Sequence, residues 1–159
     1  MNQKNTIDAA ELLKLRIITF GIAAGPTFFF AFVLFQQKLN AENTPATDAG
    51  IIPILTGVSI LLAIVLNILS PVITKKTTAS YRSQNMPPLR IIQSNLIIRL
   101  ALAEGPALLG LVCMFLAAMQ GVKETYIWAN LLPLAILYYT VLTNFPNKQI
   151  IENKMKNLA

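Results

Sequence analysis

Ala49 to Thr74 reads AGIIPILTGVSILLAIVLNILSPVIT, 26 residues without a single charge. A helix rises about 1.5 Å per residue, so about 20 apolar residues cross a ~30 Å hydrocarbon layer. Three more uncharged runs accompany this one: residues 17–37, 105–122 and 125–147, of 21, 18 and 23 residues. Only helices and closed barrels satisfy their backbone groups in hydrocarbon. None of the runs alternates strictly between apolar and polar residues, so helices are expected rather than a barrel. The sequence predicts them over 15–37, 51–73, 91–119 and 126–145.

Composition agrees. Of 159 residues, 55% are hydrophobic and 13% charged, against about 25% charged in an average soluble domain. The one cysteine, Cys113, has no partner for an internal disulfide, and without histidine the commonest metal and acid–base residue is missing. Cys113 lies among Leu111, Val112, Met114 and Phe115 and reads as a small apolar residue. The first apolar stretch, Ile17 to Phe35, is longer than the ~7–15 residues of a signal-peptide core. Asp8 and Glu11 before it resemble a helix-capping pair. An uncleaved first helix that starts ahead of the apolar stretch is expected.

Lys and Arg set the threading. Lys4, Lys14 and Arg16, then Lys75, Lys76, Arg82 and Arg90, then Lys148, Lys154 and Lys156 place ten cations on one side, against Lys38 and Lys123 on the other. By the positive-inside rule both termini and the middle loop face the cytoplasm. The net charge of +6 is thereby explained by topology and attraction to anionic lipid, without a nucleic-acid partner.

An offset of 80 residues lays Gly25-Pro26 on Gly105-Pro106 and Pro53 on Pro133. The chain therefore reads as two tandem parallel hairpin repeats, 1–74 and 91–159, joined by a basic cytoplasmic loop, 75–90. Gly21 and Gly25 form a GxxxG motif, and Ala101 and Gly105 repeat it as small-xxx-small. Such residues let membrane helices approach closely, so helices 1 and 3 are expected to pack there. Pro26 and Pro106 each remove a helical donor and predict mild kinks. The fold class is thus an all-α membrane protein with four transmembrane helices and both termini inside.

Glu104 is the one carboxylate expected within a span, and an ionisable group there is a functional candidate. It lies about 10 Å in from Ile97 by the helix rise. Arg99, about 140° away around the helix, is not its mate and is expected to snorkel to the interface. Asn67, Tyr139 and Thr140 lie at similar depth, with Asn67 the first-choice partner. Burial without a cation favours the proton-bearing carboxyl, which then donates a hydrogen bond. Asn130, near the far boundary, is expected to meet water. Tyr126 and Trp128 suit interfacial anchors, and Tyr138 and Tyr139 belong inside the bundle. The Phe28–Phe30 block faces lipid or the bundle. The sequence contains no phosphate loop, Ser/His/Asp set, CxxC or paired acidic metal site. No enzyme, cofactor or metal is expected.

Ala101 to Met114, ALAEGPALLGLVCM, resembles the carboxylate-bearing helix of rotary-ATPase proteolipid c subunits. It departs from them in carrying Glu104 on the first helix of its hairpin, and the whole chain has seven glycines. Gln93 to Leu116 together with Asn144-Phe145-Pro146-Asn147-Lys148 resembles small, uncharacterised four-helix proteins of the bacterial inner membrane. That likeness implies a location and no activity. The expected role is structural or complex-associated, with the lipid bilayer, a second copy or a larger membrane complex as partners. The alternative is proton or ion translocation through Glu104 in an oligomer.

Overall fold

A computed structural model describes residues 7–40, 50–122 and 124–158. Lys4, Lys123 and residues 41–49, where the sequence predicts the first hairpin loop, lie outside the described residues. The described residues form helices and no strand. They run as α1 (Ala9–Asn40), α2 (Ile52–Ser83), α3 (Pro88–Met119), a 3₁₀ helix (Thr125–Asn130) that leads into α4 (Leu131–Thr143), and α5 (Lys148–Leu158). Four are long and apolar enough to cross a membrane, the fourth being the 3₁₀ helix and α4 together.

Local chemistry sets the boundaries. Pro53 occupies the first turn of α2, where a missing N–H costs nothing. Just past the end of α2 lies Asn85, whose φ of 52° is left-handed. Asparagine tolerates that region better than most residues. The Asn85 N–H then donates to the Arg82 carbonyl and that of Met86 to Tyr81, at 3.0 and 3.1 Å, closing the helix. Pro87 and Pro88 follow and start α3. Gly121, at φ 66°, ends α3 in the same way, with the Val122 N–H on the Ala117 carbonyl. Asn147 opens α5, its Oδ1 accepting from the Gln149 N–H at 3.2 Å.

Two differences from the expected elements follow. The stretch 75–90 is not a loop of 16 residues: α2 continues to Ser83, and only residues 84–87 connect it to α3. Charge-free runs mark where a helix would leave hydrocarbon, and helical hydrogen bonding does not stop there. The C-terminal segment also forms a helix, α5, which buries Ile151 and Met155 one turn apart.

α3 is the axis of the molecule. It packs against α1, α2 and α4, whereas α1 and α2 scarcely touch each other. Accordingly Leu100, Ala107, Leu111, Met114 and Ala117 of α3 are fully buried. α1 and α2 each bury one narrow stripe: Leu15, Thr19, Pro26 and Val33 on α1, and Ile52, Thr56, Ser59, Ala63, Ser70 and Thr74 on α2. Their other faces carry exposed Phe28, Leu61 and Ile68. Broad apolar faces turned outward suit a hydrocarbon solvent.

This packing is not two-fold. If the hairpins were equivalent, α1 would pack on α2 as α3 does on α4, and it does not. Helices 1 and 3 do meet, but through aromatic rings. Phe29 and Phe32 lie against Phe115, with centroids 6.3 and 5.8 Å apart. Gly21, Gly25, Ala101 and Gly105 are all exposed. A Cβ added to Gly21 or Gly105 would meet nothing within 4 Å. Gly21 and Gly105 therefore do not make the close approach expected of them, and Gly25 meets α3 only at the Glu104 side chain. Pro26 and Pro106 are buried inside continuous helices.

Candidate functional site

Glu104 lies on the α1–α3 seam. Its Oε1 is 3.8 Å from the position of a Cβ on Gly25. The side chain is partly buried, and among the described residues its carboxylate has no hydrogen-bond or ion-pair partner. Asn67 is exposed on α2 and Tyr139 is 65% exposed on α4. Thr140 is buried, but its hydroxyl donates to the Ile136 carbonyl of its own helix at 2.8 Å. The structure does not bring these four residues together by hydrogen bonds. Arg99 turns away, its Nη1 donating to Asn144 Oδ1 at 3.1 Å.

The buried polar contacts lie elsewhere. Asn130, fully buried, donates from Nδ2 to Thr56 Oγ1 at 2.9 Å and to the Ile127 carbonyl at 3.1 Å. Its Oδ1 accepts from Ser59 Oγ at 3.0 Å. Water is therefore not its partner: α2 supplies both hydroxyls, from residues three apart on one face. Gly110 of α3 lies against the same asparagine, and a Cβ there would come within 2.8 Å of the Asn130 carbonyl oxygen. This is the close approach that a glycine makes possible in this fold. A second polar link joins α1 to α4, with Thr27 Oγ1 and Tyr138 OH 2.7 Å apart. Tyr138 thus belongs to the bundle, as expected, and Tyr139 does not.

The end of the bundle that carries α5 holds a cleft of about 740 Å³. Its walls come from Leu15 of α1, the last third of α2, the first third of α3, residues 144–146 and α5. Apolar surface is supplied by Leu15, Ile92, Leu96, Ile150, Ile151 and Leu158, and charge by Lys75, Arg82, Arg99 and Lys154. Among the described residues no carboxylate lines it. The two guanidiniums are held by neutral acceptors, Arg82 Nη2 by the Asn157 carbonyl at 2.7 Å and Arg99 by Asn144. Neither has its charge matched there. Partial burial, and after it the charge of Arg99, hold the Lys154 ammonium below the usual lysine range. Asn95 also lines the cleft. Its Nδ2 donates to Thr78 Oγ1 at 2.7 Å, while its Oδ1 is buried without a partner.

One rim is fixed from α1. Arg16 Nε donates to the Pro146 carbonyl at 3.3 Å, and its guanidinium lies 5.9 Å from the centre of the Phe145 ring. Phe20 packs edge-on against the same ring, with centroids 5.5 Å apart. A smaller cavity of about 310 Å³, with Asn40, Glu124 and Trp128 in its wall, lies at the opposite end.

Sequence reasoning missed the cleft because its cations were counted for topology and not placed on faces. A signal was present: Ile151 and Met155 lie one turn apart behind Asn147, an amphipathic helix with its cap. Comparison with known protein families, with curated proteins and with solved structures finds no match.

Proposed function

We propose that this chain is a small non-enzymatic integral protein of a bacterial inner membrane that acts by binding, through the cleft at its cytoplasmic end, alone or within a larger complex. The observation that carries this reading is the cleft itself: a hollow of about 740 Å³ with four cations and, among the described residues, no anion, and with walls from five parts of the chain. Hollows of ~300–1,000 Å³ with mostly apolar walls and a few convergent polar groups are the usual form of ligand sites. The excess of Lys and Arg at this end supports its placement in the cytoplasm.

A single cysteine at Ala79, which lines the cleft, tests the placement in a Cys113→Ala background. A membrane-impermeant maleimide should label it in inverted vesicles and not in intact spheroplasts. The opposite pattern overturns the orientation and, with it, a cytoplasmic binding role.

One observation favours a second reading, translocation of protons or sodium: the unpaired carboxylate of Glu104 on the α1–α3 seam. Neither cavity described above is lined by it. Proteoliposomes should therefore pass neither ion faster than empty liposomes. Flux that disappears in Glu104→Gln would replace the binding reading with translocation.

A further inference from the structure

We infer that the cleft binds a phosphate group carried on an apolar chain, the headgroup and first methylenes of an anionic phospholipid. The inference rests on the cleft being the binding surface and adds the chemistry of its ligand.

Lys75 and Arg82 line the cleft from α2, Arg99 from α3 and Lys154 from α5, so three elements supply its positive charge, with Lys154 and Arg99 near enough to repel. A tetrahedral anion with several peripheral oxygens accepts hydrogen bonds from several directions at once, which a planar carboxylate does less well. Guanidinium is the side chain suited to it, having five donors in a fixed fork. Arg82 and Arg99 each use one nitrogen on a neutral oxygen, Asn157 O and Asn144 Oδ1, which holds the side chain in place and leaves other donors available.

Lys154 beside Arg99 is a pair of like charges in a partly desolvated wall. An anion between them removes the repulsion and restores the ammonium. The other half of the wall, with Ile92, Leu96 and Ile150, is hydrocarbon and suits an acyl or glyceride stem. Pro71, Thr74 and Lys75 in the lining come from the boundary where the uncharged run of α2 ends. A helix that leaves hydrocarbon where its uncharged run ends would set these residues near the headgroup phosphates.

Diffuse attraction of basic residues to an anionic surface is the competing account, at about 1 kcal/mol per residue near the surface. It depends on charge number and not on position, so position is what the experiment varies. Purified protein is placed in phosphatidylcholine nanodiscs doped with phosphatidylglycerol, and retained lipid is measured by native mass spectrometry and by displacement titration. The wild type should retain one phosphatidylglycerol. Arg82→Gln with Arg99→Gln should weaken retention at least about tenfold, the scale of losing charge-assisted hydrogen bonds. Lys148→Gln with Lys156→Gln removes the same charge from outside the lining and should change retention less than about twofold.

Equal losses in the two double variants would overturn the site. Ala79→Leu fills the cleft without touching charge and should also lose the lipid; retention there by a folded variant overturns the proposal. A separate titration with inorganic phosphate assigns the source. Displacement of the lipid only at far higher concentration supports the lipid. Binding as tight as the lipid's keeps the phosphate site and overturns the apolar half. No binding of either probe, with Ala79→Cys still labelled from the cytoplasmic side, sinks this inference and leaves the orientation intact.

Discussion

Gly110 lies too close to Asn130 to admit a Cβ without a shift, and this separates two kinds of glycine in this chain. Gly110→Ala must displace a backbone carbonyl, since its Cβ would lie 2.8 Å from the Asn130 oxygen. It should cost about 1–3 kcal/mol, the range for overpacking. Gly21→Ala and Gly105→Ala have open space and should be neutral or slightly stabilising in helix propensity. Reversible unfolding in mixed micelles measures all three, and equal losses would refute the distinction. Asn130→Leu leaves the Thr56 and Ser59 hydroxyls without their cross-helix partner. In a membrane such bonds contribute about 0.6–2 kcal/mol, and the same unfolding measurement should show a loss of that size. The sequence gives Asn130 a position along its span and not its partner. Depth follows from counting residues along one span, but a partner depends on how helices are rotated against each other. No run of uncharged residues encodes that rotation. Glu104 has the same history: its place within a span was legible, while the rotation that sets it against Gly25 was not.

At the scale of elements, the end of α2 was written in the sequence and overlooked. Asn85 followed by Pro87-Pro88 is a helix stop with its breaker. The cations from Lys75 onward mark an exit from hydrocarbon, which is not the end of the helix. Spin labels placed singly from residue 75 to 83 should show accessibility with a 3.6-residue period, and uniform mobility would contradict the extension. α5 carries its own pH signature. Its Lys154 has a lowered folded-state pKa, so the unfolded chain holds that proton more tightly. Stability should therefore rise with pH between the folded and unfolded values, and the handicap is fully present below the folded one. Lys154→Gln should raise Tm at neutral pH and flatten the alkaline rise. A variant whose Tm profile keeps the wild-type slope would assign that rise to another group.

Over the whole molecule, four apolar helices were legible because solvent, not packing, dictates them. The organisation around α3 was not legible, since all four spans are apolar nearly all round and the pattern does not rank them. Burial does rank them. Leu111→Ala, at a position with no exposure, should cost about 2–5 kcal/mol in micellar unfolding. Leu61→Ala, at 61% exposure on α2, should cost almost nothing, because lipid or detergent already covers it. The 80-residue offset between Gly25-Pro26 and Gly105-Pro106 is a feature of the sequence, and the packing shows no two-fold equivalence to match it.

The separation of α1 from α2 also bears on how the chain is made. When α2 has been synthesised, neither helix has a companion to hold it, because both rest on α3. At ~5–20 residues per second the ribosome needs roughly 2–7 s more to deliver that companion. For those seconds the nascent chain is two unattached segments. A message cut short before residue 119 would then yield, instead of half a protein, a substrate for membrane quality control.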